Sequence, residues 1–480
     1  MSNLTAAPRL AVVGGGISGL TAAYRLTQLL PRATVELYEA SARLGGVLHT
    51  HNARGLLLEH GADSFLDKLP WAVGLCRELG LDGQLIPTRT GHRRAFVLHE
   101  GRLLAVPEGF VVMRPLRLLP LMRSPLLSWR GKIRVLLERW QPSPPALQQA
   151  DYDESVKSFA TRRLGREAFE RLVQPLLAGI YTADPDRLSL AATMPEVIDD
   201  EREYGSLRLA ALAKGKSARE DASGSGARYA HFVTLKDGLG GLTKALADHL
   251  PAENIHLNSP LRSLLQIEGG RWLARRVENR ELGPFDGVVI ATPAPRAAEL
   301  LATNNAPLSK LLSQISYASS AVVSLSYHRH QISRELDGFG LVVPTVESRQ
   351  IVAASFSSKK FPGRAPDDLV LIRVFLGGAL QPELLDLDDL QLTELAHREL
   401  SQLLQIAGSP ADNHLQRWIE KMPQYDVGHV QLVDAIDAEV TSQPGLELAG
   451  NAYHGVGIPQ CIRSGNESAQ RLADSLRPSS

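Results

Sequence analysis

The chain has 480 residues, 44% hydrophobic and 22% charged, with 52 basic and 52 acidic side chains. That length supports two or three domains with sizeable cores, and the balanced charge offers no footprint for nucleic acid. Two cysteines, Cys76 and Cys461, exclude a disulfide framework and a usual zinc site, so no metal is expected and a reducing compartment suits the chain.

The N-terminus lacks a basic segment followed by a long apolar core, and no apolar run reaches the roughly 18 residues of a spanning helix. A cytoplasmic protein, or one lying on the cytoplasmic face of a membrane, is expected. Leu10-Ala11-Val12-Val13 is a short apolar strand that feeds into Gly14-Gly15-Gly16-Ile17-Ser18-Gly19. A helix follows through Leu26, then a strand Thr34–Tyr38 ending at Glu39, twenty residues after the last glycine. This strand, turn, helix, strand and acid together predict a dinucleotide site. Gly14 permits the tight turn, Gly16 lets backbone approach a pyrophosphate, Gly19 lets helix and strand pack, and Glu39 accepts from ribose hydroxyls.

Residues 47–66 read as strand, turn, strand, with a second turn at Gly61-Ala62-Asp63-Ser64-Phe65, and 68–80 as a helix. Residues 94–106 predict a β-hairpin turning at Glu100-Gly101. The stretch 110–140 sets seven cations against one acid, Glu138, interleaved with leucines, Trp129 and Trp140. Prolines 115, 120 and 125 exclude one long helix. Such segments suit a membrane interface, an anionic ligand, or a solvated face packed on the core. Asp151 to Ala178 is mainly helical, and 214–228 reads as a mobile loop.

Phe232 to Leu250 is a glycine-rich turn and helix. Asn254 to Ile267 and Arg271 to Val277 are strands, and Asp286 to Pro293 is a buried parallel strand ending in a turn. Residues 317–328, 338–344, 350–356 and 369–376 alternate like an antiparallel sheet; 387–407 is a helix. Leu446 to Gly450 is a last strand, running into a glycine-rich loop and a helix from Cys461 to Leu476. The expected fold is α/β. A discontinuous Rossmann-like dinucleotide-binding domain comprises 1–90, 232–300 and 430–480. A helical substrate or membrane-associating domain spans 91–231, and an antiparallel-sheet substrate domain spans 301–429.

Arg43-Leu44-Gly45-Gly46, directly after the ribose acid, resembles the R-x-G-G extension of the FAD amine oxidase superfamily. The run Ala449-Gly450-Asn451-Ala452-Tyr453-His454-Gly455-Val456-Gly457-Ile458-Pro459 resembles the C-terminal motif of oxygen-dependent porphyrinogen oxidases. So do Gln174 to Pro185, Ser124 to Trp129, Asp153 to Val156, and Trp418 with Pro423-Gln424-Tyr425. The resemblance implies non-covalent FAD, held by Arg43, Gly46, Val47, the Gly61-Ala62-Asp63-Ser64 turn, Leu261, Trp418, Asn451, Val456, Gly457 and Ile458 in addition to the fingerprint. It implies oxidation of a porphyrinogen, protoporphyrinogen IX first, in three two-electron steps within haem synthesis, with O2 as acceptor and H2O2 as product. Phe339, Val342 and Phe375 become pocket walls by family position.

The chain departs from that pattern at Ala95, where the family commonly places a propionate-binding arginine. Alternation puts Arg93 on the face of Ala95 and Arg94 on the other. Both are candidates for the carboxylate contact, and coproporphyrinogen III stays open as substrate. No acid–base pair stands out. The competing readings are another flavin oxidase acting on amines or polyenes, and a flavin-binding partner without turnover. Oligomeric state is unread, and a dimer is compatible.

Overall fold

The structure, a computed structural model, describes residues 7–90, 94–111, 113–214 and 231–477. Arg93 and nearly all of the expected loop at 214–228 lie outside those residues.

The first strand, Arg9–Val13, is central in a five-stranded parallel sheet. Thr34–Tyr38 and Ile255–His256 lie on one side, Gly287–Ile290 and Leu446–Leu448 on the other. Leu10 to Val13 and Val288 to Ile290 are buried on both faces, as a covered parallel sheet requires. The helix Ile17–Leu29 covers one face, and the terminal helix Ile458–Leu476 crosses it. At the crossing a Cβ on Gly465 would lie 2.3 Å from the Ser18 carbonyl oxygen, so a side chain there would part the two helices. The segment 254–267, read as one strand, is broken. Only Ile255–His256 joins the parallel sheet, while Leu261–Gln266 pairs antiparallel with Trp272–Arg276.

A second, seven-stranded sheet runs Asp412–Pro423, Tyr317–His328, Leu369–Gly377, Ala353–Ser355, Gly340–Val342, Ala95–His99, Arg102–Ala105. It is antiparallel except where Gly340–Val342 meets Ala95–His99 in parallel. The hairpin, grouped by sequence with the helical stretch, thus extends this sheet. Its two faces are sorted by alternation. Ala95, Val97, Val342, Ala353 and Phe375 face the helical stretch, whose core includes Phe159, Leu172 and Leu176. Phe96, Leu98, Leu341 and Val374 face the helix Asp389–Leu404.

The basic stretch 110–140 divides between inside and outside. Glu138 is buried and accepts from Arg163, from the Ser206 hydroxyl (2.6 Å) and from Leu207 N–H (3.0 Å). Arg114 pairs with buried Asp200 (2.6 Å), and Arg134 donates to the Arg163 carbonyl (3.0 Å) at the end of the helix Val156–Leu164. Trp129 and Trp140 are 66% and 64% exposed, with Arg130 and Arg139 over their rings. No helix among the described residues is long and apolar enough to cross a membrane.

Candidate functional site

The fingerprint glycines divide into closed and open positions. Gly14 has φ 109°, and a Cβ there would lie 2.6 Å from the Ala291 carbonyl oxygen. At Gly19 it would lie 1.9 Å from the Gly14 oxygen. Gly16 differs: a Cβ would meet nothing within 4 Å. Gly16 is also the N-cap of Ile17–Leu29, which has no side-chain cap, so its first N–H groups look into that space. A closed floor, an open mouth and uncapped donors fit a pyrophosphate.

Glu39 lies beside this mouth. It accepts from Gly15 N–H (2.7 Å) and from Ser41 N–H (2.8 Å). Gly45 N–H donates to the Gly15 carbonyl (2.8 Å), and Arg43 Nη2 to the Gly46 carbonyl (2.7 Å). The Arg43–Gly46 loop therefore folds onto the fingerprint. Burial lowers the Arg43 pKa, with Glu39 opposing. Ile17 and Ser18 are buried in the first turn of the helix. Leu261 is buried, and its carbonyl accepts from Arg296.

The turn at 61–64 meets the same loop. A Cβ on Gly61 would lie 1.9 Å from the Val47 carbonyl oxygen, so only glycine permits the approach. Asp63 pairs with Lys360 Nζ (2.9 Å) and Arg373 Nη1 (3.3 Å), and Ser64 Oγ donates to it (2.7 Å). Arg373 also donates to the Gly61 carbonyl and lies over the Phe375 ring, 5.2 Å from its centroid. Burial alone would raise the Asp63 pKa. Lys360 and Arg373 outweigh it and hold the carboxyl well below the usual carboxylate range. The sequence reading passed over Lys360 and Arg373. Their signal was a cation inside an apolar strand, Val370-Leu371-Ile372-Arg373-Val374, whose alternation puts Arg373 on the face of Phe375.

The loop 449–457 opens the terminal helix. Gly457 is the N-cap, again without a side-chain cap, and a Cβ on Gly450 would meet nothing within 4 Å. Asn451 Nδ2 donates to the Lys421 carbonyl (3.4 Å). Val456 packs against the apolar cluster that holds Val342 and Phe375, while Ile458 is buried against the nucleotide core. The second uncapped helix start thus borders the face of the large sheet on which Val342 and Phe375 stand. Cys461 is buried beside it, its thiol pushed up to about 11 by burial, so it is neutral packing rather than a nucleophile.

Of the pocket residues, Val342 and Phe375 share one apolar cluster. Phe339 precedes Gly340–Val342, and its N–H donates to the Arg94 carbonyl (2.8 Å). Arg94 is exposed and pairs with Asp337 (3.4 Å) on an open cleft that it shares with Val106 and Arg123. Strand alternation places its side chain on the opposite face of the sheet from Ala95. Among the described residues no group of three or more His, Cys, Asp or Glu side chains is arranged to hold a metal.

Residues 17–473 match the family model described as flavin containing amine oxidoreductase. A coproporphyrinogen III oxidase of Propionibacterium freudenreichii is 34% identical, over 97% of this chain and 90% of the relative. One of Bacillus subtilis is 31% identical, over 95% of each chain. A crystal structure from Exiguobacterium sp. 255-15, described as a candidate protoporphyrinogen oxidase, is 29% identical. It covers 98% of this chain and 99% of that one, with a TM-score of 0.84. The chain belongs to the flavin-containing amine oxidoreductase family and is an FAD-dependent oxidoreductase.

Proposed function

We propose that this flavoenzyme oxidises a porphyrinogen to the porphyrin in haem synthesis, six electrons in three two-electron steps, with O2 as acceptor and H2O2 as product. The observation that carries the reading is that Phe375 and Val456 both pack against one apolar cluster, the one that includes Val342. A wall residue of the large sheet and a residue of the second uncapped helix loop thus border the same apolar core, which suits a flat apolar macrocycle. FAD supplies the electron acceptance. The chain's residues bind and orient. Gly14 to Gly19 and Glu39 take the diphosphate and ribose, Arg43 to Val47 and Gly61 to Ser64 close over the middle, and Trp418 and Asn451 to Ile458 hold the ring end.

Coproporphyrinogen III is the substrate we favour over protoporphyrinogen IX, because the relatives at 34% and 31% identity are named for it. The similarity to the Exiguobacterium structure supports the second. Mixing the yellow enzyme anaerobically with each porphyrinogen, and separately with benzylamine and spermine, tests the reading. Faster flavin bleaching by coproporphyrinogen is expected. Bleaching by the amines alone would overturn it.

We place the protein in the cytoplasm, peripheral on a membrane through Trp129, Ile133, Leu137 and Trp140. These are 66%, 45%, 43% and 64% exposed, with Arg130 and Arg139 beside the indoles. Aromatic rings flanked by cations suit a headgroup boundary. Replacing Trp129 and Trp140 by serine should abolish flotation with anionic liposomes. Unchanged flotation would remove this surface from the account.

A further inference from the structure

Tyr425 lies between the strand Asp412–Pro423 and the helix His429–Thr441. Its ring stacks on His429, centroids 3.9 Å apart at 14°. The Tyr425 hydroxyl donates to the Asn451 carbonyl (2.6 Å) and accepts from Gly455 N–H (2.9 Å). His429 Nε2 lies 3.2 Å from the Tyr453 carbonyl. A carbonyl only accepts, so Nε2 carries the hydrogen. Burial lowers the His429 pKa to about 4 and keeps the ring neutral. Two stacked rings therefore hold residues 451, 453 and 455, alternate positions of the loop that opens the terminal helix.

The clamp is itself anchored. Ser189 N–H donates to the Tyr425 carbonyl (2.7 Å), and Gly428 N–H to Asp153 (3.0 Å), which also accepts from the Ser189 hydroxyl (2.7 Å). Gly455 has φ 128°, and a Cβ there would lie 2.6 Å from the Gln460 side chain. Its amide direction is thus set by Tyr425 on one side and by that conformation on the other.

We propose that Tyr425 and His429 are positioning residues. They fix the direction of the backbone N–H groups at 456–458 toward the electron-accepting end of FAD, and so set how strongly the protein prefers reduced over oxidised flavin. The proposal rests on the reading that 451–458 face the flavin ring. Donors aimed at the place where reduction builds negative charge stabilise the reduced form in proportion to how well they are fixed. Neither side chain needs to touch the cofactor.

Three measurements on the full-length protein test this. Hydrogen exchange of the 449–460 segment with and without FAD reports whether the loop faces the cofactor; protection by FAD is expected. Tyr425→Phe keeps the stack and removes the hydroxyl. It should weaken FAD binding roughly tenfold, and its preference for reduced flavin should fall about tenfold, which is about 30 mV for a two-electron couple. His429→Phe should shift the potential in the same direction, and His429→Gln, which retains a donor, should restore it. No protection of the loop removes the site reading and the clamp with it. Protection together with an unshifted potential in Tyr425→Phe and His429→Phe, whatever their melting temperatures, overturns the clamp alone.

Discussion

The Trp418 indole donates its Nε1 hydrogen to the carbonyl of His60 at 2.7 Å. This one bond joins the edge strand of the large sheet to the turn that begins at Gly61. The large sheet is thereby tied to the turn expected to contact FAD. Trp418→Phe keeps the ring and loses the bond, which is worth about 1 kcal/mol. FAD affinity should fall roughly fivefold, read by fluorescence of released flavin, with little change in melting temperature of the apoprotein.

The contrast between Gly16 and Gly19 separates binding from folding. Gly16→Val places a side chain in the open mouth, so the protein should fold and purify colourless. Gly19→Val drives a side chain into the Gly14 carbonyl, which a Cβ alone would approach to 1.9 Å, so the first helix must leave the sheet. Soluble yield and circular dichroism distinguish the two.

Asp63→Ala leaves Lys360 and Arg373 buried beside each other without their counter-charge. Breaking a buried pair costs about 3–5 kcal/mol, so a drop in denaturation midpoint is expected. Asp63→Ala combined with Lys360→Met removes one of the stranded charges and should recover part of that loss in urea unfolding.

Acid should weaken the fold through its buried histidines. Burial lowers the pKa of His60 and of His429 from 6.5 to about 4. Between those values the unfolded chain binds protons that the folded one refuses. Their stabilisation is therefore full above pH 6.5, declines as pH falls, and levels off below about 4. Each contributes on the order of 3 kcal/mol over that window. His429→Gln should flatten the slope of stability against pH by about one proton, read from urea midpoints at successive pH values.

The nucleotide half was legible because its signals are local. A buried apolar strand, three spaced glycines and an acid lie within one stretch, although the Ala291 carbonyl that closes on Gly14 comes from far along the chain. The large sheet was legible strand by strand, through alternation, but not in its pairing. The parallel contact between Gly340–Val342 and Ala95–His99 joins segments some 240 residues apart, which alternation cannot reveal. Trp418 was singled out, yet the strand Asp412–Pro423 that carries it was not, because its residues are mostly half-exposed and its apolar period is weak. Lys360, Arg373 and Tyr425 act through carbonyls and carboxylates far away in sequence. The basic stretch at 110–140 looked uniform, but Glu138 is buried, Arg134 sits at a helix end, and Trp129 and Trp140 lie outside.

The stoichiometry of turnover bears most directly on the proposed reaction. A six-electron oxidation through a two-electron cofactor requires three O2 consumed and three H2O2 formed per porphyrin released. With coproporphyrinogen III in air, an oxygen electrode, a peroxide assay and porphyrin fluorescence on one sample should give that ratio. Oxygen uptake with an amine and no porphyrin from either porphyrinogen would contradict the account.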